Sequence, residues 1–128
     1  MREIRGYRGM RTDNGEWVYG DLIHGVKDQK GLAWIWQEEE DGIGVNEYQV
    51  IPETVGQDTG MKDKNGKSVF DGDIVKTRDD VYFCVWDEYN YEYMFRNEKE
   101  DFGIAYVSSE DIEIIGTVYK NPELLGGK

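Results

Sequence analysis

The sequence has little of the residues that build covalent or metal-held cores: its 128 residues include one cysteine, Cys84, and one histidine, His24. A single cysteine cannot form an internal disulfide, which agrees with a reducing compartment. Zinc sites draw mainly on cysteine and histidine at short spacings, and no such pair is present. We therefore expect no bound metal and no other cofactor.

Long apolar runs are also absent. No stretch approaches the roughly 18 uninterrupted apolar residues of a membrane-spanning helix. The N-terminal sequence MREIRGYRGMR lacks the apolar segment of a secretory signal peptide. These absences predict a cytoplasmic protein without membrane contact. With 38% hydrophobic and 13% aromatic residues, the chain is long enough for one ordinary core, or for two small modules that share one.

Helical periodicity is poor throughout, and strand-sized runs recur instead. The runs are rich in β-branched and aromatic residues and are separated by Gly, Asn, Asp and Ser, which is typical of strands joined by turns. They cover residues 16–24, 32–37, 47–51, 68–77, 81–86, 91–96, 103–107 and 111–119. Only residues 108–112 and 121–125 resemble single helical turns. This pattern predicts a mainly β fold, either an antiparallel barrel or a sandwich.

The stretch TGMKDKNGKSVFDGDIVK, residues 59–76, invites a metal-loop or phosphate-loop interpretation. An EF-hand register centred on Gly66 would put Met61 and Gly72 at its first and last ligand positions, and neither side chain can ligate calcium. A phosphate-binding loop fails as well. Its glycine spacing is one residue too long, and a strand follows where a helix N-terminus is needed.

Local turn chemistry explains the same stretch better. Asp63 can accept a hydrogen bond from the backbone two residues on, and Asn65-Gly66 tolerates positive φ, so a hairpin is predicted here. Residues 71–73 then make a second bend before an apolar strand.

The formal net charge is −12 and is unevenly distributed, because residues 1–12 carry four arginines against a single acid, Glu3. The acidic remainder repels phosphate backbones, so nucleic-acid binding would have to use this basic strip. The simpler interpretation is that the arginines pair with the chain's own carboxylates. The alternative is a strip for an anionic partner, formed by Arg2, Arg5, Arg8 and Arg11.

Catalytic groups are not evident. Cys84 lies in the apolar run VYFCVW, where burial raises a thiol pKa and lowers its reactivity, so we expect a core residue. Carboxylates alternate with tyrosines in WDEYNYEY, residues 86–93, as they would in a glycosidase-like site. A small barrel offers little depth for such a cleft. We expect that the protein is not an enzyme.

Large aromatic residues are more numerous than a core of this size needs. Trp34 and Trp36 fall on the same side of the run LAWIWQ. Tryptophan and tyrosine anchor many interfaces, so these residues form either the shared core or a partner surface. The candidate binding residues are Trp17, Tyr19, Trp34, Trp36, Asp71, Asp73, Trp86, Tyr89 and Tyr91.

Three blocks occur in a specific order: GEWVYGDLIH, then VIPETVGQDTGMKDKNGKSVFDGDIVK, then IEIIGTVYKNPELL. Together they resemble the YopX-like proteins of bacteriophages and prophages. Met61 and Asp71 stand where that family usually has leucine and glutamate. The resemblance implies a small β-rich fold with an SH3-like barrel, and supplies no catalytic residues. We expect an N-terminal β-rich region, 1–55, packed as one unit with an SH3-like barrel region, 56–128.

Three functional hypotheses follow. The first is a non-catalytic phage or prophage accessory protein that binds a host or phage protein, or a second copy of itself, through aromatic residues. The second is an acidic mimic of DNA that occupies a host nucleic-acid-binding protein, with affinity that falls as salt rises. The third is a small β-barrel that binds nucleic acid through exposed Arg2, Arg5 and Arg8. The net charge argues against the third.

Overall fold

A computed structural model describes residues 6–24, 33–39 and 42–126 of the chain. Eleven strands are present in these ranges: β1 (Tyr7–Met10), β2 (Trp17–His24), β3 (Ala33–Glu38), β4 (Val45–Val50), β5 (Gly56–Lys62), β6 (Ser68–Phe70), β7 (Asp73–Thr77), β8 (Asp80–Asp87), β9 (Glu92–Arg96), β10 (Asp101–Gly103) and β11 (Glu113–Thr117). Four 3-10 turns accompany them: η1 (Pro52–Thr54), η2 (Ile104–Tyr106), η3 (Ser109–Asp111) and η4 (Pro122–Leu125). These ranges contain no α-helix, and the mainly β prediction is confirmed.

The chain divides into two compact units, Met1–Asp58 and Thr59–Lys128. In the N-terminal unit, antiparallel strands lie in the order β4-β3-β2-β1, and the start of β5 pairs with β1. Side chains alternate between the two faces of a sheet. One face carries the core of this unit, formed by Val18, Ala33, Ile35 and Val50 with Tyr7, Leu22, Tyr48 and Val55 against them.

The C-terminal unit contains an antiparallel sheet in the order β10-β9-β8-β7-β11. Strand β8 is central, and its buried residues Tyr82 and Cys84 join a core with Val69, Val75, Phe95 and Ile112. The expectation that Cys84 is a core residue is confirmed. Within residues 59–126, β10 and β11 are opposite ends of this sheet, and no closed barrel is formed.

Residues 59–76 contain two turns, one between β5 and β6 and one between β6 and β7, as their turn chemistry predicts. The Asp63 carboxylate accepts the backbone N–H of Asn65 at 2.9 Å, and the Asp63 N–H donates to the Lys67 carbonyl at 2.8 Å. Gly66 has a φ of +82°. The second bend lies between β6 and β7, where Gly72 has a φ of +96° and Asp73 accepts the Phe70 N–H at 2.7 Å.

One predicted strand, residues 103–107, is wrong. Strand β10 ends at Gly103, and the chain continues as the 3-10 turn η2. The apolar and β-branched composition of this run favours a strand, but only three residues, Asp101, Phe102 and Gly103, find partners on β9. The single turns predicted at 108–112 and 121–125 are confirmed as η3 and η4. The described part of the chain contains no helix with the length and apolarity of a membrane span.

Candidate functional site

The sheet of the N-terminal unit carries a set of large aromatic side chains on the face opposite its core. Val18 and Ile35 point into the core, so their sequence neighbours on β2 and β3 point the other way. The register pairs Trp17 with Met10, Tyr19 with Arg8, and Asp21 with Trp36. Four candidate residues therefore share one face, here called the aromatic face: Trp17, Tyr19, Trp34 and Trp36.

Exposure differs strongly across the aromatic face. Trp17, Tyr19 and Trp34 are half-buried, whereas Trp36 is 42% exposed. The Trp36 indole N–H donates to Glu47 Oε2 at 2.9 Å, which fixes the orientation of the exposed ring. Trp36 is thus the residue of this face that a partner can reach most readily.

The two arginines of the strip that the structure describes, Arg8 and Arg11, contact side chains of the chain itself. Arg8 is only 5% exposed, and its guanidinium carbon lies 4.2 Å from the centroid of the Trp17 ring. Arg11 lies over the Tyr48 ring and donates to both carboxylate oxygens of Asp13, at 2.9 and 2.7 Å. The hydrogen bond from Arg11 lowers the pKa of the Asp13 carboxyl. Arg2 and Arg5 lie outside the described residues. A nucleic-acid strip that needs an exposed Arg8 is contradicted by this burial.

A second aromatic group lies at the turn between β8 and β9 in the C-terminal unit. Tyr89 is 94% exposed, Tyr91 is 79% exposed and Trp86 is partly exposed. We call residues 86–91 the hairpin tip. The Trp86 ring contacts Tyr93 edge to face, with 5.0 Å between centroids, so the base of the tip is packed while its two tyrosines project outward.

The hairpin tip is held by Asp87. Its carboxylate accepts the Tyr89 N–H at 2.8 Å and the Asn90 side-chain amide at 2.9 Å, and its carbonyl accepts the Tyr91 N–H at 2.9 Å. The hydrogen bond from the Tyr89 N–H, with help from Asn90, lowers the pKa of the Asp87 carboxyl. Through these three hydrogen bonds, Asp87 holds the backbone of the hairpin tip in place.

The two remaining candidates, Asp71 and Asp73, lie at the bend before β7. Asp73 is buried at the bend before β7, where it accepts the Phe70 N–H, and Asp71 beside it is half-buried. No cluster of three His, Cys, Asp or Glu residues suited to a metal ion occurs in the described ranges. The side chain of His24 lies outside the description.

A shallow groove of about 630 Å³ lies between the β7–β8 turn and the η2–η3 segment. Its lining mixes both signs of charge, and several groups already have partners. Lys64 lies 3.5 Å from Glu113, and Arg78 stacks on Phe102 at 3.8 Å while donating to the Tyr106 carbonyl. Such a lining favours no particular class of ligand.

The structure also brings together residues whose association is not visible in the sequence. Trp36 pairs across the sheet with Asp21 on β2 and with Glu47 on β4, which are fifteen and eleven residues away along the chain. Pairing of this kind depends on strand register, and no local sequence pattern signals it.

Comparisons with known proteins give a family match and a structural likeness. The family model described as YopX protein matches residues 6–126. The crystal structure of protein EF1440 from Enterococcus faecalis resembles this chain with a TM-score of 0.58 and 18% sequence identity, over 97% of this chain and 99% of that one. At that identity the likeness shows a common fold and nothing about activity. A search of curated proteins found no match.

Proposed function

The chain belongs to the YopX protein family, and we propose that it is a non-catalytic accessory protein of a bacteriophage or prophage that binds another protein in the bacterial cytoplasm. The origin and the location rest on the resemblance to phage and prophage proteins. The binding role rests on the surface of the molecule.

The hairpin tip is the observation that carries the proposal. Tyrosine side chains provide large contact area with few rotatable bonds and a hydroxyl that can hydrogen-bond, and they are enriched in interfaces. Two of them project from one short turn that Asp87 holds in place, so little conformational entropy is lost when a partner covers them. We infer that Tyr89 and Tyr91 are the anchor residues of the interface.

We also propose that the C-terminal unit is an open variant of the SH3-like barrel. The support is its chain path: β7, β8, β9 and β10 follow one another as a meander, and β11 returns beside β7 after two 3-10 turns. In such a fold the turns at the sheet ends are free to vary and to bind.

The proposal is tested by affinity capture from lysate of the bacterial host with the wild-type chain, Tyr89→Ala, Tyr91→Ala and the control Tyr106→Ala. Tyr106 is also a highly exposed tyrosine of the same unit, but it lies outside the hairpin tip. A specific protein that is retained at high salt by the wild type and by the control, and lost from both tip variants, is the expected result.

Other outcomes contradict the proposal. A protein that all four chains capture equally would exclude the hairpin tip as the interface. A protein that salt releases from every chain would favour acidic mimicry of DNA instead. Light scattering of the purified chain, with Tyr91→Ala as the comparison, tests whether the partner is a second copy.

A further inference from the structure

The exposed Trp36 ring lies between two carboxylates on the neighbouring strands. Asp21 and Glu47 are its direct cross-strand partners on β2 and β4, so all three side chains leave the same face of the sheet. Adjacent strands are about 4.8 Å apart, which places one acid on each side of the indole. This row of Asp21, Trp36 and Glu47 is here called the Trp36 row.

Neither acid of the Trp36 row is neutralised by the described part of the chain. Asp21 and Glu47 are both exposed, and neither forms an ion pair with a residue described in the structure. Glu47 accepts the Trp36 indole N–H at 2.9 Å. This bond holds the ring in one orientation and leaves Glu47 with further lone pairs for a second donor.

We propose that the Trp36 row binds an arginine side chain presented by a partner protein. A planar guanidinium can lie on an indole face while its N–H groups reach carboxylates at the edge of the ring. The chain itself shows that arginine stacks on an indole in this sheet, because Arg8 lies 4.2 Å above the Trp17 ring on the same face. The chain's charge of −12 adds a general attraction for a basic partner.

Arginine suits the row better than lysine does. An ammonium group is compact and strongly hydrated, whereas a guanidinium is flat, more weakly hydrated and able to donate in two directions in its own plane. The two acids flank the ring on opposite sides, which is the arrangement that a donor with several N–H groups in one plane can use. The row is distinct from the hairpin tip, so this inference and the proposed function can fail independently.

The test uses acetyl-Gly-Arg-Gly-amide as the probe and the Trp36 indole N–H resonance as the readout. The resonance is assigned by its loss in Trp36→Phe, and titrations are recorded at low salt. We expect a saturable shift with the arginine peptide, a weaker one with the lysine peptide, and none with the neutral citrulline peptide. Tyr89→Ala and Tyr91→Ala should bind the arginine peptide as the wild type does.

Charge-matched variants separate a site from general attraction. Asp21→Asn with Glu47→Gln removes the row's two charges, and Glu53→Gln with Glu98→Gln removes two exposed charges elsewhere. The first pair should weaken binding about tenfold and the second less than about twofold. In Glu47→Gln the side-chain amide oxygen can still accept the indole N–H, so the ring stays in place. Equal losses in both pairs, an equal shift with citrulline, tighter binding of lysine, or no saturable shift would each overturn the proposal.

Discussion

The Asp63 carboxylate accepts a hydrogen bond from the backbone N–H of Ile114, 3.1 Å away and 51 residues later in the chain. Its other oxygen accepts the N–H groups of Asn65 and Lys67, at 2.9 and 3.0 Å. Burial raises the pKa of the Asp63 carboxyl, but the three backbone donors outweigh this and the pKa is lowered. One buried charge therefore closes the turn after β5 and attaches it to β11.

Replacing Asp63 by Asn should destabilise the protein by about 2–4 kcal/mol, because a neutral amide with one acceptor oxygen cannot serve three backbone donors. Urea unfolding followed by circular dichroism measures the change. Asp111→Asn, at an exposed acid in η3, is the control and should change stability by less than about 0.5 kcal/mol. Equal stability of the two variants would show that the Asp63 hydrogen bonds contribute little.

Thr77 on β7 and Thr117 on β11 are both buried, but their hydroxyl groups differ in hydrogen bonding. Thr77 is 3% exposed, and its hydroxyl oxygen is buried with no hydrogen-bond partner in the described ranges. The Thr117 hydroxyl accepts the Lys120 N–H at 3.1 Å. Valine has the same shape without the hydroxyl, so Thr77→Val should stabilise and Thr117→Val should destabilise, each by about 1 kcal/mol. Thermal unfolding of both variants tests these opposite signs. Unfolding temperatures that shift in the same direction would contradict the difference in hydrogen bonding between the two hydroxyl groups.

Tyr82 should make stability depend on pH in the alkaline range. Burial and, after it, the hydrogen bond to Glu100 at 2.5 Å together raise its pKa from 10.0 to about 12. The folded state therefore favours the protonated phenol. The free energy of unfolding that this shift contributes is fully present below pH 10 and is lost as the pH rises towards 12.

The stability difference between the wild type and Tyr82→Phe should accordingly shrink between about pH 10 and 12. Urea unfolding at several pH values in this window measures it. Tyr89→Phe replaces an exposed tyrosine and is the control. Its free energy of unfolding, plotted against pH, should run parallel to that of the wild type. A Tyr82→Phe curve that is also parallel would disprove the shifted titration.

Tyr91 has a φ of +54°, a left-handed conformation that is unfavourable for a bulky side chain. Tyr91→Gly should therefore be more stable than Tyr91→Ala by about 1 kcal/mol, since only glycine relieves the backbone strain. Tyr89 is not among the described residues with positive φ, and there alanine should be the more stable replacement. Chemical unfolding of the four variants gives both differences. The same order at both positions would argue against strain at Tyr91.

Features that depend on neighbouring residues in the sequence were predictable. The turn at Asp63–Gly66 follows from side chains that bond their own backbone, and Trp34 and Trp36 share a face because strand side chains alternate. The core position of Cys84 follows from its apolar neighbours.

Features that depend on distant partners were not predictable. Strand β1 (YRGM) is short and contains a glycine, and β5 (GQDTGMK) contains two glycines, so neither sequence favours a strand, and pairing partners stabilise both. The burial of Arg8 could not be foreseen from a charged segment, because it depends on the Trp17 ring above a paired strand. The Trp36 row likewise depends on the register of three strands.

The alternation along β3 has a consequence for how this protein can vary. Ile35 points into the core while Trp34 and Trp36 point away from it. Inserting one residue before Trp34 would send both indoles inward and Ile35 outward, because every side chain after the insertion changes face. Replacement of one residue leaves the others where they are. Strand β3 should therefore tolerate substitutions more readily than any change in length, and length differences among relatives should fall in the turns.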